Sequence, residues 1–253
     1  MSEREYGSRA VVGVAVPQAN PIVEPEMSAL LPTGVSMLVT RLQGSRSDSR
    51  NRLIDYLTNL EASLDMYDTA QLQVAGYACT GSSYLVGLEA ESRALEKAGE
   101  RFGYPIISSS QAIRDALAHL GAKKIALFAP YPAWLTEASC AYWAACGLTV
   151  TSHLSMPLDT TDTRNIYQTR TPMVMDAFER LEWQNADAIL LSGTGMPTLR
   201  AIGEIHRRTG KPVVSSNLCL AWALAARVGL ADALEPAGPE DTLFGGWSHR
   251  IPQ

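Results

Sequence analysis

The stretch Gly103–Leu117, GYPIISSSQAIRDAL, returns at Gly210–Leu224 as GKPVVSSNLCLAWAL. Each copy has Gly-x-Pro, an apolar pair, Ser-Ser and then a helical pattern. Gly and Pro stop whatever helix precedes, the apolar pair reads as a short buried strand, and a serine opens the next helix as its cap. Other pairs follow at a similar offset. VGVAVPQ (Val12–Gln18) matches IALFAPY (Ile125–Tyr131), each ending a strand at a proline, Pro17 and Pro130. YACTGSS (Tyr77–Ser83) matches LSGTGMP (Leu191–Pro197), each a strand end followed by a turn of small residues. A repeat of about 110 residues is a duplicated subdomain, not a solenoid period.

Between these landmarks, β-rich runs alternate with helical stretches. RAVVGVAVP, VSMLVTRL, LQVAGYAC, PIISS, KKIALFAP, LTVTSHL, AILLSG and PVVSS read as strands. Leu53, Leu57, Leu60 and Leu64 carry the helical spacing of a buried face, and one helix is expected from Tyr84 to about Phe102. Such alternation predicts an α/β fold of two pseudo-symmetric, Rossmann-like halves with mostly parallel sheets. The halves are placed at residues 1–120 and 121–229, with 230–253 packing back on the first. Ligands of open parallel sheets bind outside the carboxyl ends of the strands, so the site is expected in the cleft between the halves.

Bulk properties narrow the function. The chain has 253 residues, 46% hydrophobic and 19% charged, with a formal net charge of −5. No basic footprint for nucleic acid is present. The N-terminus, MSEREYGSRA, lacks an apolar signal core, and no apolar run is long enough for a bilayer. A cytoplasmic protein without membrane or nucleic-acid partners is expected. The four cysteines, 79, 140, 146 and 219, form no Cys-x-x-Cys pair and no zinc-like spacing with the four histidines, so no structural metal is expected.

The turns at the strand ends are rich in Ser, Thr, Gly and Asn and hold no lysine or arginine. Their backbone N–H groups open helices and favour anions. They suit a small carboxylate held by hydrogen bonds rather than a triphosphate held by lysine, and SGTGMP lacks the dinucleotide glycine spacing. Cys79 falls where a strand turns into a helix. It reads either as a small buried hydrophobe or as a functional thiol, whose pKa a helix N-terminus lowers. Cys140 and Cys146, in an apolar helix, and Cys219 read as core. Ser108 and Ser215 read as helix caps, and Asn20 and Tyr131 as either structural or ligand-facing. The apolar helices leave room for a homo-oligomer interface.

In their order and spacing, VGVAVPQANPIVEPE, GYACTGSS, ISSSQAIRDALAHLGAKKIALFAPY, AILLSGTGMPTL and GKPVVSSN resemble the aspartate/glutamate racemase superfamily. More narrowly, they resemble the branch containing maleate cis-trans isomerase and arylmalonate decarboxylase. The resemblance implies two similar halves, no cofactor, and one strand-end cysteine position in each half. Cys79 matches the first position and Gly193 falls on the second. The racemases and the isomerase have cysteine at both, and the decarboxylase only at the second, so this chain reverses the decarboxylase pattern. Asn20 matches a substrate-binding asparagine of the isomerase. Thr80, Tyr131, Thr194 and Gly195 match a carboxylate-binding, oxyanion-stabilising pocket, to which Gly81, Ser82 and Gly193 of the same turns belong. Asp159 stands where the isomerase has another asparagine, and Trp134, Met156, Leu158 and Tyr167 are expected to set the pocket's size.

The implied function is a cofactor-independent enzyme acting on a small carboxylate or dicarboxylate through Cys79. It would either decarboxylate a substituted malonate, with Cys79 as proton donor, or isomerise a maleate-like diacid by thiol addition. An amino-acid racemase and a non-catalytic carboxylate binder are the alternatives.

Overall fold

Runs of small and β-branched apolar residues form the strands, and the helices fall between them. The computed structural model describes residues 4–46, 48–156, 162–234, 238 and 241–251. The first half of the chain runs β1 (Ala10–Pro17), α1 (Val23–Leu30), β2 (Val35–Leu42), α2 (Ser49–Thr58), α3 (Leu60–Leu64), β3 (Val74–Tyr77), α4 (Thr80–Val86), α5 (Leu88–Phe102), β4 (Ile106–Ser108) and α6 (Ser109–His119). The second runs β5 (Lys124–Ala129), α7 (Ala133–Ala145), β6 (Thr149–Ser155), α8 (Thr171–Phe178), β7 (Ala188–Leu191), α9 (Leu199–Thr209), β8 (Val213–Ser215) and α10 (Ser216–Arg227).

Two four-stranded sheets result, ordered β2-β1-β3-β4 and β6-β5-β7-β8. All their pairings are parallel. The expected α/β class and the pseudo-symmetry are therefore both present. Strand β1 is buried along its whole length, whereas the edge strand β6 alternates between exposed and half-buried positions. Parallel strands covered on both faces need continuous apolar runs, and an edge strand does not.

Helix α10 follows the second sheet in the chain but lies on the first. A Cβ on Gly76, in β3, would stand 3.2 Å from Leu220 and 3.3 Å from Leu224 of α10. Gly76 is thus where the helix approaches the strand. Burying leucines of this kind stabilises by roughly 1.5–3 kcal/mol each. The C-terminal segment touches both halves: Arg250 Nε donates to Ala29 O at 2.7 Å, and Thr242 Oγ1 accepts from Val213 N at 3.1 Å. No helix among the described residues is long and apolar enough to cross a membrane.

Three elements differ from the sequence reading. The helix expected from Tyr84 to Phe102 is two helices, divided at Gly87, whose φ of +82° favours glycine. Helix α1 was hidden by Pro21 and Pro25, yet Pro25 lies in its first turn, where no backbone donor is needed. The helical pattern from about Met173 extends in the sequence to Trp183, but helix α8 stops at Phe178, so Trp183 falls in the following loop.

Candidate active site

Strands β1, β3, β5 and β7 point their carboxyl ends at one place, and the residues just beyond them line a single small cavity. Its volume is about 40 Å³, and its wall includes Asn20, Cys79, Thr80, Gly81, Tyr131, Thr194 and Gly195. That is room for about three waters, far below the ~300–1,000 Å³ of sites for drug-sized ligands. Seven of the nine expected site residues meet here. Asp159 and Leu158 lie outside the described residues.

Cys79 precedes the first turn of α4 with an extended backbone, φ −146° and ψ 98°. It is 4% exposed. The N–H groups of Ser82 and Gly81 face its sulfur, as the strand-to-helix reading requires. Their effect on the thiol is outweighed: burial pushes Cys79 up to about 12, against the pull of those two amides and of the Arg52 guanidinium. The expected lowering is thus corrected. A helix terminus stabilises a thiolate by less than full desolvation destabilises it, so at neutral pH the sulfur carries its proton.

The hydroxyl groups around the thiol bridge the two halves. Thr80 Oγ1 and the Tyr131 hydroxyl are 2.8 Å apart. Thr194 Oγ1 donates to Ala78 O at 2.9 Å and accepts from Asn20 Nδ2 at 3.3 Å. Asn20 lines the cavity and also serves the turn, since its Oδ1 accepts from Ile22 N at 2.8 Å at the approach to α1. Burial raises the Tyr131 phenol, which therefore stays a donor.

Two expected residues do not present side chains to the cavity. The Ser82 hydroxyl donates to Leu53 O at 2.5 Å and ties α4 to α2, leaving its amide for the sulfur. The Gly193 N–H donates to Ser216 Oγ at 2.9 Å, so it is already engaged. Gly193 has φ +111°, and a Cβ there would stand 3.1 Å from both the Tyr131 hydroxyl and Ile166. Gly195 is bare for a different reason: the Tyr167 ring occupies the place of its Cβ, 2.6 Å away.

Sequence reading missed the site's charge. Arg52, on α2, is 4% exposed and is the only charged side chain in the cavity wall among the described residues. Ser49, Arg52 and Tyr56 recur at helical spacing beside Leu53 and Leu57, so the polar flank of that apolar stripe was the available signal. A second omission is Glu26 on α1. Its Oε1 accepts from Thr198 N at 2.6 Å and Leu199 N at 3.2 Å, and its Oε2 from Asn217 Nδ2 at 2.7 Å. Asn217 Nδ2 also donates to Thr194 O, which fixes the 193–198 turn to the first half.

Among the other expectations, Cys219 is buried, whereas Cys140 and Cys146 are half-buried because their helix faces outward there. Ser108 and Ser215 cap α6 and α10 by accepting from Gln111 N and Leu218 N. No group of three potential metal-ligating side chains occurs among the described residues.

A profile described as arylmalonate decarboxylase matches residues 12–239. A maleate isomerase of Geobacillus stearothermophilus is 29% identical over 241 residues, covering 90% of this chain and 95% of that protein. An arylmalonate decarboxylase of Bordetella bronchiseptica is 34% identical over 125 residues, 49% of this chain and 51% of that one. The structure of a Nocardia farcinica maleate cis-trans isomerase variant, with a covalently bound succinylcysteine intermediate, superposes with a TM-score of 0.78 at 26% identity, over 87% of this chain and 93% of that one.

Proposed function

The chain belongs to the arylmalonate decarboxylase family, and we propose that within it this protein is a cofactor-independent enzyme acting on a small carboxylate or dicarboxylate through Cys79. The observation that carries the reading is the Cys79 sulfur in the wall of a small cavity whose other polar groups are hydroxyls, amides and the Arg52 guanidinium.

Decarboxylation of a substituted malonate fits this geometry best. The substrate's carboxylate sits among the Thr80, Tyr131 and Thr194 hydroxyls. The C–C bond breaks, its electron pair enters the remaining carboxylate as an enediolate, and carbon dioxide leaves. Cys79 then gives its proton to the carbon and is reprotonated from solvent. Burial holds the thiol in the protonated form this step needs. Gly193, across the cavity, supplies no second acid or base, which weighs against a two-base racemase.

A second reading is favoured by the likeness to maleate isomerases along most of the chain. The Cys79 thiolate would add to the double bond of a maleate-like diacid, the new C–C single bond would rotate, and elimination would return the thiolate and the trans product. The amides of Gly81 and Ser82 and the Arg52 guanidinium favour that thiolate.

Incubation with disubstituted malonates, maleate and both enantiomers of aspartate and glutamate separates these outcomes. Carbon dioxide release marks the first reaction, a change in alkene absorbance the second, and loss of optical rotation a racemase. Cys79→Ser is expected to lower the active reaction at least about a hundredfold. Turnover unaffected by that substitution removes Cys79 from the chemistry. Ligand binding with no turnover of any substrate leaves a carboxylate binder.

A further inference from the structure

We infer that Arg52 is a specificity-determining residue of this site, binding one of the two carboxylates of the diacid substrate. The inference rests on the proposed carboxylate chemistry and specifies it further. Arg52 Nη2 donates to Ser49 Oγ at 2.9 Å, Thr163 Oγ1 at 3.0 Å and Asp162 Oδ1 at 3.1 Å. All its hydrogen bonds are therefore on one nitrogen. Nε and Nη1 have no hydrogen-bond partner among the described residues, and neither is sealed from solvent although the residue as a whole is 4% exposed. A guanidinium offers five donors in a planar fork, so Arg52 keeps donors open to an incoming group. A carboxylate matches that fork in shape and charge.

The rest of the wall explains why the ligand carries two acids. Asn20, Thr80, Tyr131 and Thr194 are neutral and suit a single carboxylate. Arg52 adds a full positive charge on the α2 side. Its salt-bridge partner does not cancel that charge locally, because Asp162 also pairs with Arg164 at 2.6 Å. Arg52 also lines an outer pocket of about 310 Å³, shared with Arg50, Arg164 and Trp134 and with the carboxylates of Asp48 and Asp162. It stands between that pocket and the cavity, where an entering diacid meets it.

Calorimetric titration with succinate and its monoamide, succinamate, tests this without depending on turnover, since succinate has neither a double bond nor a malonate carbon. The wild-type protein should bind succinate at least about tenfold more tightly than succinamate. Arg52→Gln should weaken succinate binding by about 10- to 100-fold, the range for lost charge-assisted hydrogen bonds, and leave succinamate nearly unchanged. Arg52→Lys should fall between. Asp162→Asn frees the guanidinium and should tighten succinate binding, and it keeps the test alive if Arg52→Gln does not fold. A pair that only latches α2 to the 162–168 turn would instead lose affinity for both ligands in Asp162→Asn. That result, or equal weakening of both ligands in Arg52→Gln, overturns the role of Arg52 alone. Wild-type protein that binds neither ligand, nor maleate nor malonate, overturns the carboxylate reading and this inference with it.

Discussion

Cys79 is governed by two opposed influences, and burial is the larger. The amides of Gly81 and Ser82 and the Arg52 charge favour the thiolate, but desolvation raises the thiol to about 12. The residue therefore rests as an acid. Alkylation by iodoacetamide, followed at Cys79 by peptide mass spectrometry, should be slow at pH 7. It should accelerate about tenfold per pH unit through pH 9 without a plateau, because only the thiolate reacts. A plateau near neutral pH would mean that the terminus of α4 outweighs burial. Cys140 and Cys146, both half-buried, serve as internal references.

At the scale of elements, the turn after β7 carries the constraint. Residues 192–197 bring Thr194 and Gly195 to the cavity only because Gly193 takes φ +111°, a region that side chains rarely enter. A cysteine there would be strained and would press on Tyr131 and Ile166. Gly193→Cys should cost about 1–3 kcal/mol in denaturant unfolding. It should also perturb the Thr80–Tyr131 contact, so that catalysis falls rather than gaining a second base. Wild-type stability in this variant would contradict the strain argument. On the opposite wall, the bond from Ser82 to Leu53 and the packing of Leu53 against Gly81 tie α4 to α2, with Cys79 and Arg52 in one cavity.

Across the whole molecule, the halves meet through polar pairs around the site: Thr80 with Tyr131, Tyr84 with Ser192, Arg52 with Asp162, and Glu26 with the start of α9. Glu26 makes this interface sensitive to pH. Burial raises its carboxyl above 4.5, and its hydrogen bonds from Asn217, Thr198 and Leu199 only partly offset this. A carboxyl whose folded pKa exceeds its unfolded value contributes stability that is fully present below the unfolded pKa. That contribution is lost as pH rises through the folded pKa. Glu26→Gln mimics the protonated form, so the Tm of the wild type relative to this variant should fall as pH is raised from 4.5 to 8. A constant difference would show that Glu26 does not titrate in that window.

Much of this architecture was legible along the chain. The duplicated GYPIISSS and GKPVVSSN stretches, the prolines ending β1 and β5, and the apolar runs determine two parallel α/β halves, because strand burial and helix capping are local demands written in nearby residues. Cys79 and Tyr131 could be singled out because each lies just past a strand end, and Thr80 and Thr194, in turns of the same kind, through the family resemblance. The pairing of Arg52, the role of Glu26 and the protonation of Cys79 could not, since each depends on residues brought in from the other half of the chain. Arg52 meets Asp162, Glu26 meets Thr198, and the sulfur is desolvated by the second half closing over the first. Charge and dielectric are properties of the assembled cleft, so only the folded chain sets them.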